Sequence, residues 1–337
     1  MRKEDELSLH TSLAPDLSII IPSHNGAGHI ERITDEIMEL RSLQIQIQII
    51  FVDDGSTDDS PAILESLGKK HPEILHIATK GNLGAGLARN TGWRQAKGTY
   101  TIFFDVDDHF HPESVPLCLK HLEDLPTVDT AIFSYRYERE ETASFTGMNH
   151  HDEKLLRKYL SGKEFAVGKL DEMGPLIGLT NYPWNKILRT SRFKEKGLKF
   201  GSTKVHNDIL GHWHTLLFSR EIALLDRVIC THVVHPNGKN LTNNFGEERF
   251  QMFDALSELY DLLENNPALR HRYSHHYWGL CDQLMNWVRP RISNDLKSEL
   301  NERYRTLLSR INLDDLSRMK LGHSPNLAET IIQKILT

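Results

Sequence analysis

Cysteine is scarce. The 337 residues hold three, Cys118, Cys230 and Cys281, far apart and with no C-x-x-C pair. No disulfide framework is expected, and the usage fits a reducing compartment. Positive charge is not in excess either: 40 Lys and Arg stand against 46 Asp and Glu, for a net charge of -6. That argues against a general nucleic-acid binder, which needs a basic face, while leaving room for a few local cations to hold phosphate. No apolar run reaches the roughly 18 residues of a membrane-spanning helix. The opening MRKEDELSLHTS lacks the apolar core of a signal peptide, so a cytoplasmic location is expected. Internal repeats and low-complexity tracts are absent too.

What is present is an alternation. LSIII (17–21), QIQIQIIFV (44–52), ILHIA (74–78), TYTIFF (99–104) and TAIFS (130–134) are short apolar runs that read as buried strands. Between them lie segments of helical spacing, such as Ile30, Ile33, Ile37 and Leu40. Ser60-Pro61 marks a helix start. Strand and helix alternating in this way predict an α/β fold with a mostly parallel sheet covered on both faces. In such sheets ligands bind beyond the carboxyl ends of the strands. Four polar loops, PSHN, DDGS, KGNLG and DVDD, each follow a strand directly, and all four are expected at one sheet edge. Residues 136–180 are polar and poorly periodic and read as loops around a few short elements. From about 247 onward, helical patterns dominate, over 268–288, 294–310 and 325–336 among others. At this length the chain exceeds one ordinary core, so two units or one domain with an extension are expected.

The sharpest feature is FFDVDDHF (103–110), which places Asp105, Asp107 and Asp108 within four positions. Carboxylates this close repel and are costly to bury unpaired. In extended chain Asp105 and Asp107 point the same way. Two hard oxygen ligands on one side suit Mg²⁺ or Mn²⁺, which complete their shells with phosphate oxygens and water. The plainer reading is an acidic helix start, with Asp107 or Asp108 as cap. In VDDGSTD, Asp54 sits at a strand end beside Gly55, placed either to hold a base or sugar or simply to shape a turn. GNLGAGLARN leads into a helix, where glycine-rich backbone can hold phosphate and Arg89 can face a diphosphate or only solvent. It suggests a dinucleotide-binding fingerprint, but the glycine order differs and it follows the third strand instead of the first.

Together, P-S-H-N, V-D-D-G-S-T-D, G-N-L-G-A-G-L-A-R-N-T-G and A-K-G-T-Y-T-I-F-F-D-V-D-D resemble, in order and spacing, glycosyltransferase family 2 with its GT-A fold. The resemblance is strong over 16–135 and weaker through N-Y-P-W-N-K-I-L-R-T-S-R-F-K-E-K-G-L-K-F (181–200) and V-H-N-D-I (205–209). It implies an inverting transfer of sugar from a nucleotide-diphosphate sugar, commonly UDP-linked, to a glycan, lipid-linked or polyol-phosphate acceptor of bacterial surface polysaccharide. It also implies site roles. Pro22, His24, Asn25 and Asp54 would hold the nucleobase. Asn82 and Arg89 would line the nucleotide and diphosphate pocket, Asp105 the ribose region, and Asp107 would bind Mn²⁺ or Mg²⁺. The general base falls on Asp208, with Asn207 where the family carries glutamate. Some relatives use a late histidine as metal ligand; here that is His235 or His232, though each also reads as an ordinary packed histidine.

The division this implies is a tail (1–15), a nucleotide-sugar-binding half (16–135), an acceptor-binding half (136–246) and a helical extension (247–337). The extension is expected to serve homo-oligomerisation, acceptor binding or peripheral attachment at the inner face of a membrane. NLAETIIQKIL (326–336) is amphipathic enough to lie on lipid, or to pack on its own domain. Two rival readings stand beside this one: a dinucleotide-dependent oxidoreductase, and a non-catalytic relative that binds glycans or partners.

Overall fold

The computed structural model describes residues 14–139, 144–234 and 246–336. The expected alternation opens the chain as β1 (Leu17–Ser23), α1 (Ala27–Ser42), β2 (Ile47–Asp53), α2 (Ser60–Lys70), β3 (Ile74–Ala78), α3 (Ala85–Gln95) and β4 (Tyr100–Phe103). Ile19 and Ile21 of β1 join the apolar layer that holds Ile30, Ile33 and Ile37 of α1. Ile20 points the other way, into a layer with Ala88 and Trp93 of α3. A continuous apolar run is what a strand covered on both faces requires. β1 lies between β2 and β4 and is parallel to both. Pro22 is tolerated in this central strand because the β1–β4 ladder ends at Ile20↔Phe103. The Ile20 carbonyl still accepts the Phe104 N–H. The N–H that proline lacks would face the same edge two residues on, where the register has stopped.

Beyond β4 come β5 (His109–Phe110), α4 (Val115–Asp124), β6 (Val128–Arg139), β7 (Ser144–Thr146), α5 (His150–Leu160) and β8 (Phe165–Gly168). Then follow β9 (Lys186–Arg189), α6 (Thr190–Glu195), α7 (Asp208–Phe218) and β10 (Glu221–Val234). All ten strands form one sheet in the order β3-β2-β1-β4-β9-β6-β10-β5, with β7 beside β6 and β8 beside β10. β9 is antiparallel to both β4 and β6; β10 runs parallel to β6 along a long ladder. The α/β fold expected from the sequence is what forms. Residues 136–180 hold more regular structure than their polarity suggested. α5 begins at Asn149, whose side chain accepts the Asp152 N–H, and ends at Ser161 in left-handed conformation. Its Leu155, Leu156 and Leu160 are buried.

The last third is helical: α8 (Gln251–Glu264), α9 (Pro267–Val288), α10 (Lys297–Leu308), α11 (Leu313–Arg318) and α12 (Pro325–Leu336). Tyr260, Tyr277, Trp278, Cys281 and Met285 are fully enclosed. They share one apolar cluster with Leu155 of α5, Ile209 and Trp213 of α7, and Ala328 and Ile331 of α12. The apolar stripe of the last helix therefore packs inward, although Leu336 beside it is exposed. Among the described residues no helix is long and apolar enough to cross a membrane.

Candidate active site

The carboxyl ends of β1, β2, β3 and β4 carry the four polar loops, and hydrogen bonds tie these loops together. Asn25 takes a left-handed conformation (φ 54°). Its N–H donates to Ser56 Oγ at 2.8 Å, and its Oδ1 accepts from the Thr57 N–H at 2.8 Å. His24, exposed, has Nδ1 at 3.0 Å from the Asp54 carbonyl oxygen. The Asp54 carboxylate is almost wholly buried and reaches the third loop instead of solvent. It accepts from Thr79 Oγ1 (2.8 Å), Leu83 N–H (3.0 Å) and Gly84 N–H (2.6 Å). An anion thus sits against the N-terminus of α3, where backbone donors and the helix dipole favour it. Asn82 is exposed at the tip of that loop. The glycine-rich loop follows β3, the sheet's outermost strand on that side.

The three carboxylates after β4 have three different surroundings. Asp105 Oδ1 accepts from Arg89 Nη2 at 2.6 Å. Asp107 is half-buried on the turn. Asp108 is fully buried, and its Oδ1 accepts from His232 Nδ1 at 2.8 Å and from the Val233 N–H at 3.0 Å. Its Oδ2 is enclosed without a hydrogen-bond partner. Burial pushes the Asp108 carboxyl up to about 6, with Asp107 and Asp105 adding to the rise and His232 opposing it. His232 is correspondingly drawn upward by Asp108, against the effect of its own burial. The turn is clamped from α1, because Arg32 donates to the Asp108 carbonyl (2.9 Å) and the Val106 carbonyl (3.3 Å).

Arg89 joins the two halves of the chain. Its guanidinium is buried, bonded to Asp105 on one side and to Asn207 Oδ1 (2.8 Å) on the other, and lies 5.4 Å over the Phe200 ring. That approach depends on Gly86: a β-carbon there would stand 2.2 Å from the Gly201 carbonyl oxygen. Asn207 immediately precedes α7, and Asp208 is the first residue of that helix. Burial pushes the Asp208 carboxyl up to about 6, with Asp105 adding to the rise; Arg89, the helix backbone and Lys186 pull it down. A carboxyl poised there is largely ionised at neutral pH and able to take a proton.

Arg89 therefore bonds Asp105 on one side and, on the other, Asn207, the residue before Asp208. Pro22, His24, Asn25 and Asp54 form the neighbouring loop pair. His235 lies outside the described residues. Among the described residues, no group of three or more His, Cys, Asp or Glu side chains is arranged to hold a metal by itself. That is compatible with Mg²⁺ or Mn²⁺, which take one or two protein carboxylates and draw the remaining oxygens from phosphate and water; Asp107 offers such oxygens. Three participants were not legible beforehand. Arg32 drew no notice in the sequence; on α1 it also pairs with Glu36 at 3.0 Å. The Asp108–His232 pair spans 124 residues, beyond any local signal. Lys186 sat unremarked inside the Y-P-W-N-K segment.

Comparison with known proteins bears on this arrangement. A chondroitin synthase of Escherichia coli is 32% identical over 150 residues, covering 44% of this chain and 21% of its own length, so the chain spans about a fifth of that relative. The putative glycosyltransferase EpsH of Bacillus subtilis is 26% identical over 264 residues, 77% of this chain and 72% of its own. In fold, the chain is similar to TarS 1–349 of S. aureus in complex with UDP-GlcNAc: TM-score 0.74, 16% identity, covering 95% and 88% of the two chains. It is also similar to the mannosyltransferase PcManGT of Pyrobaculum calidifontis in complex with GDP-Man and Mn²⁺ (TM-score 0.53, 15% identity, 96% and 84%). The family model "Glycosyl transferase family 2" matches residues 18–196. With the GT-A architecture and the four strand-end loops in place, that match over more than half the chain makes this protein a member of glycosyl transferase family 2.

Proposed function

We propose that the protein is an inverting glycosyltransferase of bacterial surface polysaccharide synthesis, using a nucleotide-diphosphate sugar, UDP-linked, and a glycan or polyol-phosphate acceptor. The observation that carries the reading is the Arg89 bridge, which holds Asp105 and Asn207 to one guanidinium beside Asp208. Donor loops and candidate base are thereby fixed relative to one another. Support for the donor class comes from the UDP-GlcNAc and GDP-Man in the two similar structures. Support for the pathway comes from the chondroitin synthase and EpsH likenesses.

In this reading the first two loops hold the base and ribose, with His24 and Asn25 on their rim. Arg89 turns charge toward the leaving diphosphate, an electrostatic stabilisation of the transition state. Asp208 accepts the acceptor hydroxyl proton as that oxygen bonds to the anomeric carbon from the opposite face. The sugar–phosphate bond breaks with its electron pair going to the diphosphate. Mn²⁺ or Mg²⁺, when bound, would supply further positive charge against the diphosphate, held by Asp107 and His235. His232, its Nδ1 engaged by Asp108, has the support typical of a metal-binding histidine and is the alternative ligand.

A thermal-shift panel of nucleotide sugars, with and without Mn²⁺, tests the proposal. One donor should raise the melting temperature only when metal is present, and Asp107→Asn should erase that dependence. If no nucleotide sugar stabilises the protein in either condition, the reading falls.

A further inference from the structure

The segment that leads into α7 takes its hydrogen bonds from an unexpected quarter. Residues 201–207 form neither helix nor strand, and they end at Asp208, the first residue of α7. Backbone N–H groups in irregular chain need acceptors from elsewhere. Here α8, the first long helix of the extension, supplies them. The Ser202 N–H donates to both carboxylate oxygens of Glu258, each at 3.2 Å, and Ser202 Oγ donates to Oε1 of the same carboxylate. Two turns earlier on the same face of α8, Gln251 Oε1 accepts from the Lys204 N–H at 2.8 Å and the Val205 N–H at 3.4 Å. The approach is close: a β-carbon on Gly201 would stand 2.8 Å from Glu258 Oε2.

From this clamp, hydrogen bonds run without a gap to the candidate site. The Lys204 carbonyl accepts from Asn207 Nδ2 at 3.1 Å, and the Asn207 carbonyl accepts from the Gly201 N–H at 2.8 Å. Asn207 Oδ1 in turn accepts from Arg89, which donates to Asp105. Between Lys204 and Asn207, His206 holds a left-handed conformation (φ 61°), which a non-glycine residue keeps only where its surroundings impose it. On the opposite side, Phe200 exchanges two hydrogen bonds with Asn90 of α3, at 2.8 and 3.0 Å. The segment is thus gripped between α3 and α8.

We propose that Glu258 and Gln251 are positioning residues for sugar transfer. Through them the helical extension fixes the segment that sets Asn207 against Arg89 and Asp208 at the start of α7. Neither side chain has to touch substrate. The proposal rests on the reading of Asp208 given above. It gives the extension a part in the reaction that differs from oligomerisation, acceptor binding or membrane attachment.

Glu258→Ala, Gln251→Ala and the double variant test this, since both side chains are only half-buried and the core beneath them is left intact. Amide hydrogen exchange at 202, 204 and 205 should quicken by about tenfold, with α9 unchanged. In the double variant kcat should fall by about ten- to hundredfold, while donor affinity by calorimetry stays within about threefold. Glu258→Gln, which keeps one acceptor oxygen, should recover most of the loss seen in Glu258→Ala. In an Asp208→Asn background, adding both alanines should lower kcat by less than about twofold more, because no placed base is left to lose. Unquickened exchange, an unchanged kcat, or a loss that persists in full beside Asp208→Asn each overturns the proposal. Failure of the underlying reading looks different: Asp208→Asn would by itself retain turnover.

Discussion

The two parts of this chain follow different rules. From β1 to β4, apolar strands are buried on both faces and every strand exit is polar. Four exits meet at one edge, and hydrogen bonds such as those of Asp54 to Leu83 and Gly84 lock them together. From α5 onward, side chains such as Tyr277, Trp278 and Trp213 are enclosed in one large apolar cluster, and the chain reaches back to the first part through β9, paired with β4, and through residues 200–208 beside α3. The comparison teaches a division of labour. A parallel sheet gathers polar loops by its geometry alone, whereas a helical cluster has no such edge and contributes a firm support for one helix start.

The widest break in that comparison would come from Asp208. It is the one candidate catalytic group from the second part. Asp208→Asn should lower kcat by about 10²–10⁴-fold, with donor affinity by calorimetry within twofold of wild type. If the variant turns over normally, the second part does not supply the general base.

Next in size is a test of whether the parts are structurally separate. Trp278 is fully buried on α9, and Trp278→Ala should remove about 3–5 kcal/mol of stability. Because its cluster runs from Ile132 on β6 to Ile331 on α12, urea unfolding should remain one transition with a lower midpoint. Two separated transitions would mean that the helices form an independent unit.

The same contrast explains what could be read from sequence. β1 to β4 were legible because each is a short apolar run stopped by Pro, Gly or Asp. The helices were legible from spacings such as Phe253, Leu256, Leu259 and Leu263. α5 was not, because its buried leucines crowd its last two turns behind two histidines. In the candidate site, residue types pointed to the loops proposed to carry chemistry, but not to which carboxylate finds which partner. Asp54 turned inward to loop backbone and Asp108 to a histidine 124 positions away; these pairings are set by tertiary packing, which no local pattern encodes.

A smaller effect follows from pH. The Asp208 carboxyl is raised to about 6 from an ordinary 3.8, so the folded state holds that proton more tightly than the unfolded chain. Its stabilising contribution is present below the ordinary value and is lost as pH rises through about 6. Asp208→Asn, with no charge to bury, should therefore be more stable than wild type at pH 8. The gain should be on the order of 2–3 kcal/mol, shrinking toward nothing at pH 4. Denaturation midpoints at the two pH values check this. An equal gain at both would mean that packing, not ionisation, separates the two proteins.

The smallest and most discriminating change is Asn207→Asp, which adds one charge with almost no change of shape at the junction of the two parts. Asn207 Oδ1 now accepts from Arg89 at 2.8 Å; a carboxylate there would compete with the donor diphosphate for the guanidinium and sit next to Asp208. Weakening of donor binding by about three- to tenfold, roughly 1 kcal/mol, is expected by calorimetry. The acid limb of the rate profile should shift upward as the neighbouring charge makes Asp208 harder to ionise. If donor affinity instead rises, Arg89 is not the group that meets the diphosphate, and its bridge to Asp105 and Asn207 serves only to hold the two parts together.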